Sequence, residues 1–266
     1  MAMISVLYVD DEPGLLEIGK LFLEQSGEMQ VETVESPFEA LEELKGAKYD
    51  CIISDYQMPE MDGIELLKVV RSRMGKIPFI LFTGRGREEV VIEALNNGAD
   101  FYLQKGGNPS AQFAELTHKV KIAVEHYESE KLYRTIFETT GTAMAVLENN
   151  TVISLVNTKF EQLSGFKKIE IEGRKRWTEF VVKEDLDRML ALHQMRLKDE
   201  KNTTNQYEFR YITRAGDIRT IFLTINMIPG SKRYVASLMD ITEWKRMEDL
   251  LKCTLKDGSA GSPDTG

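Results

Sequence analysis

The first 108 residues alternate five times between short apolar runs and amphipathic stretches. The apolar runs, such as Ile4–Val9 and Cys51–Ser54, are rich in β-branched residues and predict buried strands. The stretches between them place apolar residues three or four positions apart, which predicts helices. Strict alternation of this kind predicts an α/β domain with a doubly wound, five-stranded parallel sheet and helices on both faces.

Residues 142–248 follow a different rhythm. Two short apolar runs flank the turn Glu148-Asn149-Asn150, which predicts a hairpin. Helical patterns come next, and three strand patterns then close the region, in residues 206–213, 218–228 and 233–241. Two strands, a helical middle and three antiparallel strands predict an α+β domain with an antiparallel sheet.

A long helical pattern connects the two regions, beginning at Pro109. No glycine or proline interrupts it between Ser110 and Thr140, and its apolar residues recur at spacings of three and four: Phe113, Leu116, Val120, Ala123 and Tyr127. This spacing suits packing on the sheet or a seam with a second helix. We expect the segment from Phe113 to Phe137 to form one helix that mediates parallel self-association as a two-fold pair. The alternative is that the helix only completes the first domain and is followed by a linker.

Composition narrows the functional classes. The 266 residues are 42% apolar and 29% charged, which is ordinary for a globular protein. The net charge of −9 argues against nucleic-acid binding through bulk electrostatics. No apolar run approaches the roughly 18 residues of a membrane span, and the N-terminal run is too short for a signal peptide. We therefore expect a cytoplasmic protein. Cys51 and Cys253 are too far apart to suggest a disulfide framework or a metal site.

Chemically active side chains follow the ends of the predicted parallel strands. They are carboxylates, a hydroxyl and an amine, from Asp10, Asp11, Asp55, Thr83 and Lys105. Open α/β sheets bind ligands at the carboxyl ends of their strands, so these groups are expected to converge. Taken alone, Asp55 could equally be the N-cap of the next helix. The convergence of the other four groups favours a site.

The sequence Asp55-Tyr56-Gln57-Met58-Pro59-Glu60-Met61-Asp62-Gly63 resembles the motif around the phospho-accepting aspartate of response regulator receiver domains. Together with the positions of Asp10, Thr83 and Lys105, the resemblance covers roughly the first 125 residues. It implies a flavodoxin-like fold in which Asp55 accepts a phosphoryl group from the phosphohistidine of a sensor histidine kinase.

The resemblance also implies a Mg²⁺ site. Asp11 and Asp55 would bind the ion directly, Asp10 would bind it through water, and the Gln57 backbone carbonyl would add a ligand. A hard cation has a physical reason to be there, because two carboxylates about 4 Å apart repel by about 4 kcal/mol at an effective dielectric of about 20. Mg²⁺ prefers oxygen ligands and keeps several waters.

Four further residues receive roles from the resemblance. Lys105 would pair with Asp55 or its phosphate, and the Thr83 hydroxyl would bind a phosphate oxygen. Gly84 would keep the approach to the acceptor open. Tyr102 would change rotamer together with Thr83, although a half-buried aromatic is also common in strands.

The second region resembles a PAS domain over about residues 132–247. The resemblance rests on Asn157-Thr158-Lys159-Phe160-Glu161-Gln162-Leu163-Ser164-Gly165-Phe166, on Val182-Lys183-Glu184-Asp185, and on Ser237-Leu238-Met239-Asp240-Ile241-Thr242-Glu243. We expect a receiver domain, a helical linker, a PAS domain and a disordered tail, in residues 1–125, 126–140, 141–248 and 249–266. The tail prediction rests on the Gly, Ser and Pro residues at the end of the chain.

No comparable site is visible in the PAS region. His193 could ligate a haem, but a solvated side chain is favoured, and the cysteine motif of flavin-binding PAS domains is absent. The aromatic residues are expected to build the core rather than a cofactor pocket: Phe160, Trp177, Phe180 and Phe209. We expect no coloured cofactor, and the sequence names no other PAS ligand.

These observations favour a non-enzymatic two-component signalling protein, with slow autodephosphorylation as its only expected chemistry. Asp55 receives the signal, and helix contacts or dimer geometry transmit it to the PAS domain. One alternative is a PAS adaptor that senses a ligand or partner and is tuned by the receiver. Another is a fragment of a larger hybrid sensor kinase.

Overall fold

The computed structural model describes residues 3–84, 88–199 and 203–258. The chain divides into two compact units, Met1–Tyr133 and Arg134–Gly266. The boundary between them falls inside the segment 126–140 that we expected to be a linker.

The first unit is built on a parallel five-stranded sheet of order β2-β1-β3-β4-β5. Its strands are β1 Ile4–Val9, β2 Met29–Val34, β3 Cys51–Ser54, β4 Phe79–Thr83 and β5 Phe101–Gln104. Its helices are α1 Pro13–Glu24, α2 Pro37–Gly46, α3 Gly63–Met74, α4 Glu88–Asn96 and α5 Pro109–Thr139. The predicted doubly wound, flavodoxin-like fold is confirmed.

Local sequence signals place the helices of this unit. The Ser36 side chain accepts a hydrogen bond from the Glu39 amide 3.2 Å away, which caps α2. Asp62 and Glu65 form a reciprocal capping box at the start of α3. This cap fixes the N-terminus of α3 directly after the loop that follows β3. The alternative role for Asp55, as the cap of that helix, is therefore wrong.

Helix α5 is a single helix of 31 residues, as the uninterrupted pattern predicts. The apolar residues of its first half are buried in the core of the first unit, namely Phe113, Leu116, Val120 and Ala123. Tyr127 continues the same face and is partly buried. The spacing of three and four thus reports packing on the sheet, and it does not by itself support self-association.

The last residues of α5 belong to the second unit and are bonded within it. Asn157 Nδ2 donates to the Phe137 carbonyl over 2.9 Å. The Glu138 carboxylate accepts from both the amide and the hydroxyl of Thr158, at 3.0 and 2.8 Å, and pairs with Lys168. The end of α5 is therefore fastened to the start of the next helix.

The second unit contains an antiparallel five-stranded sheet of order β7-β6-β10-β9-β8. Its strands are β6 Ala143–Glu148, β7 Ile153–Val156, β8 Gln206–Ile212, β9 Ile218–Met227 and β10 Arg233–Asp240. Between β7 and β8 lie α6 Thr158–Ser164, α7 Lys168–Ile171, a short 3-10 helix Trp177–Phe180, and α8 Lys183–Lys198. This arrangement confirms the predicted α+β domain.

The end of the chain differs from expectation. A final helix, α9 Thr242–Gly258, includes residues 249–258, which we expected to be disordered. Asp240 Oδ1 accepts from the Thr242 amide over 3.0 Å at its start, and no glycine or proline follows until Gly258. Residues 259–266, the rest of the expected tail, lie outside the described residues. No helix in the described part of the chain combines the length and apolar character needed to cross a membrane.

Candidate functional site

Two acids and one amine meet at the carboxyl edge of the parallel sheet. Lys105 Nζ lies 2.6 Å from Asp10 Oδ2 and 3.0 Å from Asp55 Oδ1. Asp10 follows β1, Asp55 follows β3 and Lys105 follows β5, so the carboxyl ends of three strands of one parallel sheet deliver these groups to one place. Three of the five groups predicted to converge thus meet here, and the amine bridges the two carboxylates instead of pairing with Asp55 alone.

Burial gives this cluster its electrostatic character. Asp10 is 0% exposed, and burial raises the pKa of its carboxyl group despite the hydrogen bond and charge of Lys105. Burial alone would lower the pKa of Lys105, but the hydrogen bond and charge of Asp10, together with the charge of Asp55, outweigh it and raise that pKa. One ammonium therefore serves two buried carboxylates and leaves the site in need of positive charge.

The Asp55 carboxylate is 5% exposed, and its two oxygens differ. Oδ2 accepts a hydrogen bond from the Gln57 amide over 2.8 Å. Oδ1 lies at ion-pair distance from Lys105 but has no partner with hydrogen-bond geometry in the described residues. A buried acceptor without a hydrogen bond costs free energy. A new bond to an incoming group is therefore more favourable at Oδ1 than at Oδ2.

The other predicted residues surround this pair. Thr83 is buried at the end of β4, and its carbonyl accepts from the Lys105 amide over 2.7 Å. A Cβ added at Gly84 would meet no atom within 4 Å, so packing alone does not require glycine there. The Tyr102 hydroxyl is buried and has no hydrogen-bond partner in the described residues. Burial, and then the charge of Asp55, raise the pKa of Tyr102.

Gly63 is a site residue whose role the sequence analysis missed. A Cβ on Gly63 would lie 2.1 Å from the backbone oxygen of Asp55 and 3.1 Å from Ser54 Oγ. The Gly63 amide also donates to the Tyr56 carbonyl over 2.9 Å. The start of α3 thus packs directly against the backbone of Asp55. The signal in the sequence was a glycine placed immediately after the capping Asp62.

The donor set suits Mg²⁺ in part. Within the described residues, no group of three or more His, Cys, Asp or Glu side chains is arranged to hold a metal, because Asp11 is exposed while Asp10 and Asp55 are buried around Lys105. A Mg²⁺ ion needs only one or two carboxylates when waters and substrate oxygens complete its shell. The raised pKa of Asp10 fits a hard cation, and so does Asp55 Oδ1, which has no hydrogen-bond partner among the described residues.

In the second unit the expectation for His193 is wrong. The side chain is 5% exposed rather than solvated, and its Nε2 lies 3.0 Å from the Asn149 carbonyl oxygen. Because a carbonyl only accepts, Nε2 carries the proton and donates. Its ring packs edge-on against Trp177, with 5.7 Å between centroids. The physical reason is the spacing of Met189, His193 and Arg196, which puts all three on the buried face of α8.

The aromatic residues build the core and also line a cavity. Phe160, Phe180 and Phe209 are buried, as expected, yet the same residues and Trp177 border a cavity of about 50 Å³. His193 and Arg196 lie on its wall. A haem would not fit this volume, and the Nε2 atom that would bind its iron is already hydrogen-bonded.

Comparison with known families agrees with both folds. Residues 6–119 match the response regulator receiver domain family, and residues 153–237 match the PAS fold family. Receiver and PAS domains are non-catalytic signalling domains.

Three curated relatives are response regulators or regulatory proteins. Response regulator Rre1 of Synechocystis sp. is 36% identical over 108 residues, which cover 40% of this chain and 47% of Rre1. Response regulator GtcR of Aneurinibacillus migulanus is 29% identical over 169 residues, 61% of this chain and 69% of GtcR. Transcriptional regulatory protein FixJ of Bradyrhizobium diazoefficiens is 28% identical over 130 residues, 49% of this chain and 63% of FixJ. The matches thus span only part of each relative's length.

Two solved structures resemble the first unit. The receiver domain of the Francisella response regulator 1452 shows 31% identity, covering 47% of this chain and 98% of that one with a TM-score of 0.43. A CheY-like receiver domain protein from Methanospirillum hungatei shows 29% identity, covering 48% and 99% of the two chains with a TM-score of 0.45. By its matches to the two family models, the chain carries a response regulator receiver domain in residues 6–119, followed by a domain of the PAS fold in residues 153–237.

Proposed function

We propose that this protein acts in the cytoplasm, where it accepts a phosphoryl group on Asp55 from the phosphohistidine of a sensor histidine kinase, and that helix α5 carries the change to the PAS domain. Phosphoryl acceptance on an aspartate is the general function of receiver domains. The observation that carries the assignment to Asp55 is its Oδ1 atom, which is buried at ion-pair distance from Lys105 and has no hydrogen-bond partner among the described residues.

The reaction is a transfer between two nucleophiles. Asp55 Oδ1 attacks phosphorus and forms a new O–P bond, while the P–N bond to the kinase imidazole breaks. The electron pair of that bond stays on the imidazole nitrogen, and a proton already on the other ring nitrogen keeps the leaving group neutral. Lys105 Nζ, 3.0 Å from Oδ1, is positioned to pair with an oxygen of the new phosphate. The Thr83 hydroxyl would bind another of those oxygens.

Asp10, Asp11, Asp55 and the Gln57 backbone carbonyl would hold Mg²⁺, as in other receivers. The ion supplies positive charge that offsets the phosphoryl oxygens and the neighbouring carboxylates. The chain's own residues do the positioning. The Gln57 amide holds Oδ2 of Asp55 in place, and the N-terminus of α3 packs against the Asp55 backbone through Gly63.

A switch to the second domain would run through Tyr102 and α5. The Tyr102 hydroxyl is buried and has no hydrogen-bond partner in the described part of the chain, so a movement of Thr83 toward a phosphate would change the space around it. The first half of α5 packs in the receiver core. Its end is bonded to Asn157 and Thr158 of the PAS domain. Changes in the packing of α5 therefore have a covalent route to that domain.

We propose a homodimer through an exposed face of α5. Leu132, Tyr133 and Ile136 are exposed and lie on one side of the helix. Ile136 is nine residues from Tyr127, which at 3.6 residues per turn is about two and a half turns, so the two side chains point in opposite directions. The self-association seam, which the sequence placed along the apolar run from Phe113 to Tyr127, therefore moves to this second face.

The proposed acceptor can be tested with a small phosphodonor and Mg²⁺, followed by intact-protein mass spectrometry. We expect one phosphoryl adduct on the wild-type chain and none on Asp55→Asn, which keeps the shape but removes the nucleophile. Asp50→Asn is a matched control that lies just before β3, at the opposite end of the strand from Asp55, and should be phosphorylated like wild type. An adduct of equal yield on Asp55→Asn would contradict the assignment.

A further inference from the structure

Lys105 lies at the point where β5 ends and a loop begins. On the side of the sheet, its amide donates to the Thr83 carbonyl of β4 over 2.7 Å. Its ammonium lies 2.6 Å from Asp10 Oδ2 and 3.0 Å from Asp55 Oδ1. A group that must contact two buried oxygens at these distances tolerates little displacement of the backbone that carries it. The position of the loop after Lys105 therefore affects the site.

This loop has little packing of its own. Gly106 and Gly107 are both exposed. Their φ angles are +137° and +83°, which residues with a side chain rarely adopt. A Cβ at either position would meet no atom within 4 Å, so glycine is required by the backbone conformation rather than by a lack of space. Two adjacent glycines have much conformational freedom to lose, and an ordered loop of this kind needs a hydrogen bond to hold it.

Gln112 of α5 provides that hydrogen bond. The Gly106 amide donates to Gln112 Oε1 over 2.8 Å. In residues 3–84, 88–199 and 203–258, no other hydrogen bond reaches the backbone of Gly106 or Gly107. The backbone that follows Lys105 is thus fastened through one side chain.

Gln112 is itself firmly placed. Its amide donates to the Asn108 carbonyl over 3.0 Å. The next residue, Phe113, is 3% exposed and stacks on Phe22 with 5.2 Å between the ring centroids. The hydrogen bond from Gly106 therefore joins an unpacked loop to a helix turn that is anchored in the receiver core.

The side chain of Gln112 is not needed to begin the helix. Asn108 Oδ1 accepts from the Ala111 amide over 3.3 Å, which caps the first turn of α5. The Gln112 side chain accepts instead from a residue outside the helix, next to Lys105 in the chain. Its contact thus serves the loop rather than α5.

We propose that Gln112 is a positioning residue for phosphoryl transfer, which holds the loop so that Lys105 reaches the acceptor and then the phosphate oxygens. The inference rests on the proposed function of Asp55. Gln112 touches none of the reacting atoms and acts through the Gly106 backbone. Its replacement should leave the acceptor carboxylate intact and the ammonium less well placed.

The amine of Lys105 reports on the loop directly. In the unphosphorylated full chain, limited acetylation with acetic anhydride and peptide mass spectrometry compare Lys105 with the exposed Lys48. The Lys105 side chain is 11% exposed and should react slowly in wild type. Gln112→Leu removes the acceptor and should raise the relative reactivity of Lys105 about fivefold, the factor expected for one net hydrogen bond. Gln112→Glu keeps an acceptor oxygen and should react like wild type.

The phosphorylation rate tests the role in the reaction. With a small phosphodonor and Mg²⁺, intact-protein mass spectrometry should show that the rate falls about fivefold in Gln112→Leu and recovers in Gln112→Glu. Gln104→Leu makes the same change at an exposed side chain of β5, directly before Lys105, and should alter neither measurement. Hydrogen exchange of the β1 and β3 amides should be unchanged in Gln112→Leu, because α5 keeps its Asn108 cap.

Four results would overturn the proposal. They are unchanged Lys105 reactivity in Gln112→Leu, an unchanged phosphorylation rate in that variant, no recovery in Gln112→Glu, and a loss of β1 and β3 protection in Gln112→Leu. The last result would assign Gln112 a structural role. Phosphorylation of Asp55→Asn at the wild-type rate would instead contradict the proposed function. The acetylation result would still show whether Gln112 holds Lys105 in place.

Discussion

The backbone oxygen of Asp55 occupies the place that a side chain at Gly63 would need, 2.1 Å from the position of its Cβ. Observed Cβ contacts are essentially never shorter than 3.0 Å, so any larger residue must displace either the loop or the start of α3. The Asp62 capping box holds the helix end in register. The position of the acceptor carboxylate therefore depends on a residue that carries no chemistry itself.

Gly63→Ala should destabilise the receiver domain by about 2 kcal/mol and slow phosphorylation, because the clash is with backbone rather than with a flexible side chain. Hydrogen exchange of the β1 and β3 amides reports on this domain separately from the second one. Gly84→Ala is the control, since its Cβ meets nothing within 4 Å and protection should be unchanged. Equal protection in Gly63→Ala and wild type would refute the packing role.

Lys105→Gln should make the stability of the receiver domain more dependent on pH. Burial already raises the pKa of Asp10 above its ordinary 3.8, and loss of the amine raises it further. A carboxyl group whose pKa is raised in the folded state contributes stability that is fully present below its unfolded-state pKa. That stability is lost as the pH rises through its folded-state pKa. Relative to wild type, the variant should therefore lose about 1 kcal/mol more at pH 8 than at pH 5.

The measurement for Lys105→Gln is hydrogen exchange of the β1 and β3 amides at each pH. The ratio of the variant rate to the wild-type rate is used, because the intrinsic exchange rates cancel in it. Between pH 5 and 8 wild-type Lys105 stays charged in both states, because its folded pKa is raised from 10.5. Lys48→Gln removes an exposed lysine and should show no such trend. A ratio independent of pH would show that the charge of Lys105 does not stabilise the ionised carboxylate of Asp10.

Tyr102→Phe should stabilise the unphosphorylated receiver by about 1 kcal/mol, because it removes a buried hydroxyl that lacks a hydrogen bond. Tyr133→Phe, at a side chain that is exposed on α5, should have no effect. Exchange protection of β5 is the measurement. If Tyr102→Phe were destabilising, its hydroxyl would have a partner in solution, and the proposed movement of Tyr102 with Thr83 would lose its support.

Ile136→Lys should weaken self-association at least about tenfold by placing a charge in the proposed apolar seam of α5. Tyr127→Lys, on the opposite side of the helix, should leave the dimer constant unchanged even if it destabilises the receiver. Sedimentation with and without beryllium fluoride measures both variants. A wild-type chain that sediments as a monomer at tens of micromolar in both conditions would rule the dimer out.

The sequence predicted the receiver fold well because the strand patterns, the helix caps and the order of the elements all indicated the same fold. β-Branched runs marked the strands, caps such as Ser36 and Asp62 marked helix starts, and the parallel sheet then required Asp10, Asp55 and Lys105 to meet. What it could not predict was the bridging position of the lysine. A long flexible side chain can reach either acid or both, and the sequence does not show that both carboxylates are buried around the amine.

Prediction was less successful where one pattern suits two environments. The apolar run from Phe113 to Ala123 fits a sheet or a second helix equally, and the structure assigns it to the receiver core. In α8 the inward positions of His193 and Arg196 contradict simple polarity.

The most direct test of the account is to locate the phosphoryl group. After treatment with a phosphodonor and Mg²⁺, borohydride reduction converts an aspartyl phosphate to a stable alcohol that survives digestion. Cleavage after lysine separates residues 1–20, which contain Asp10 and Asp11, from residues 49–68, which contain Asp55. The account predicts the reduced residue at Asp55 alone. Reduction at Asp10 or Asp11, or an unreduced Asp55 in phosphorylated protein, would contradict it.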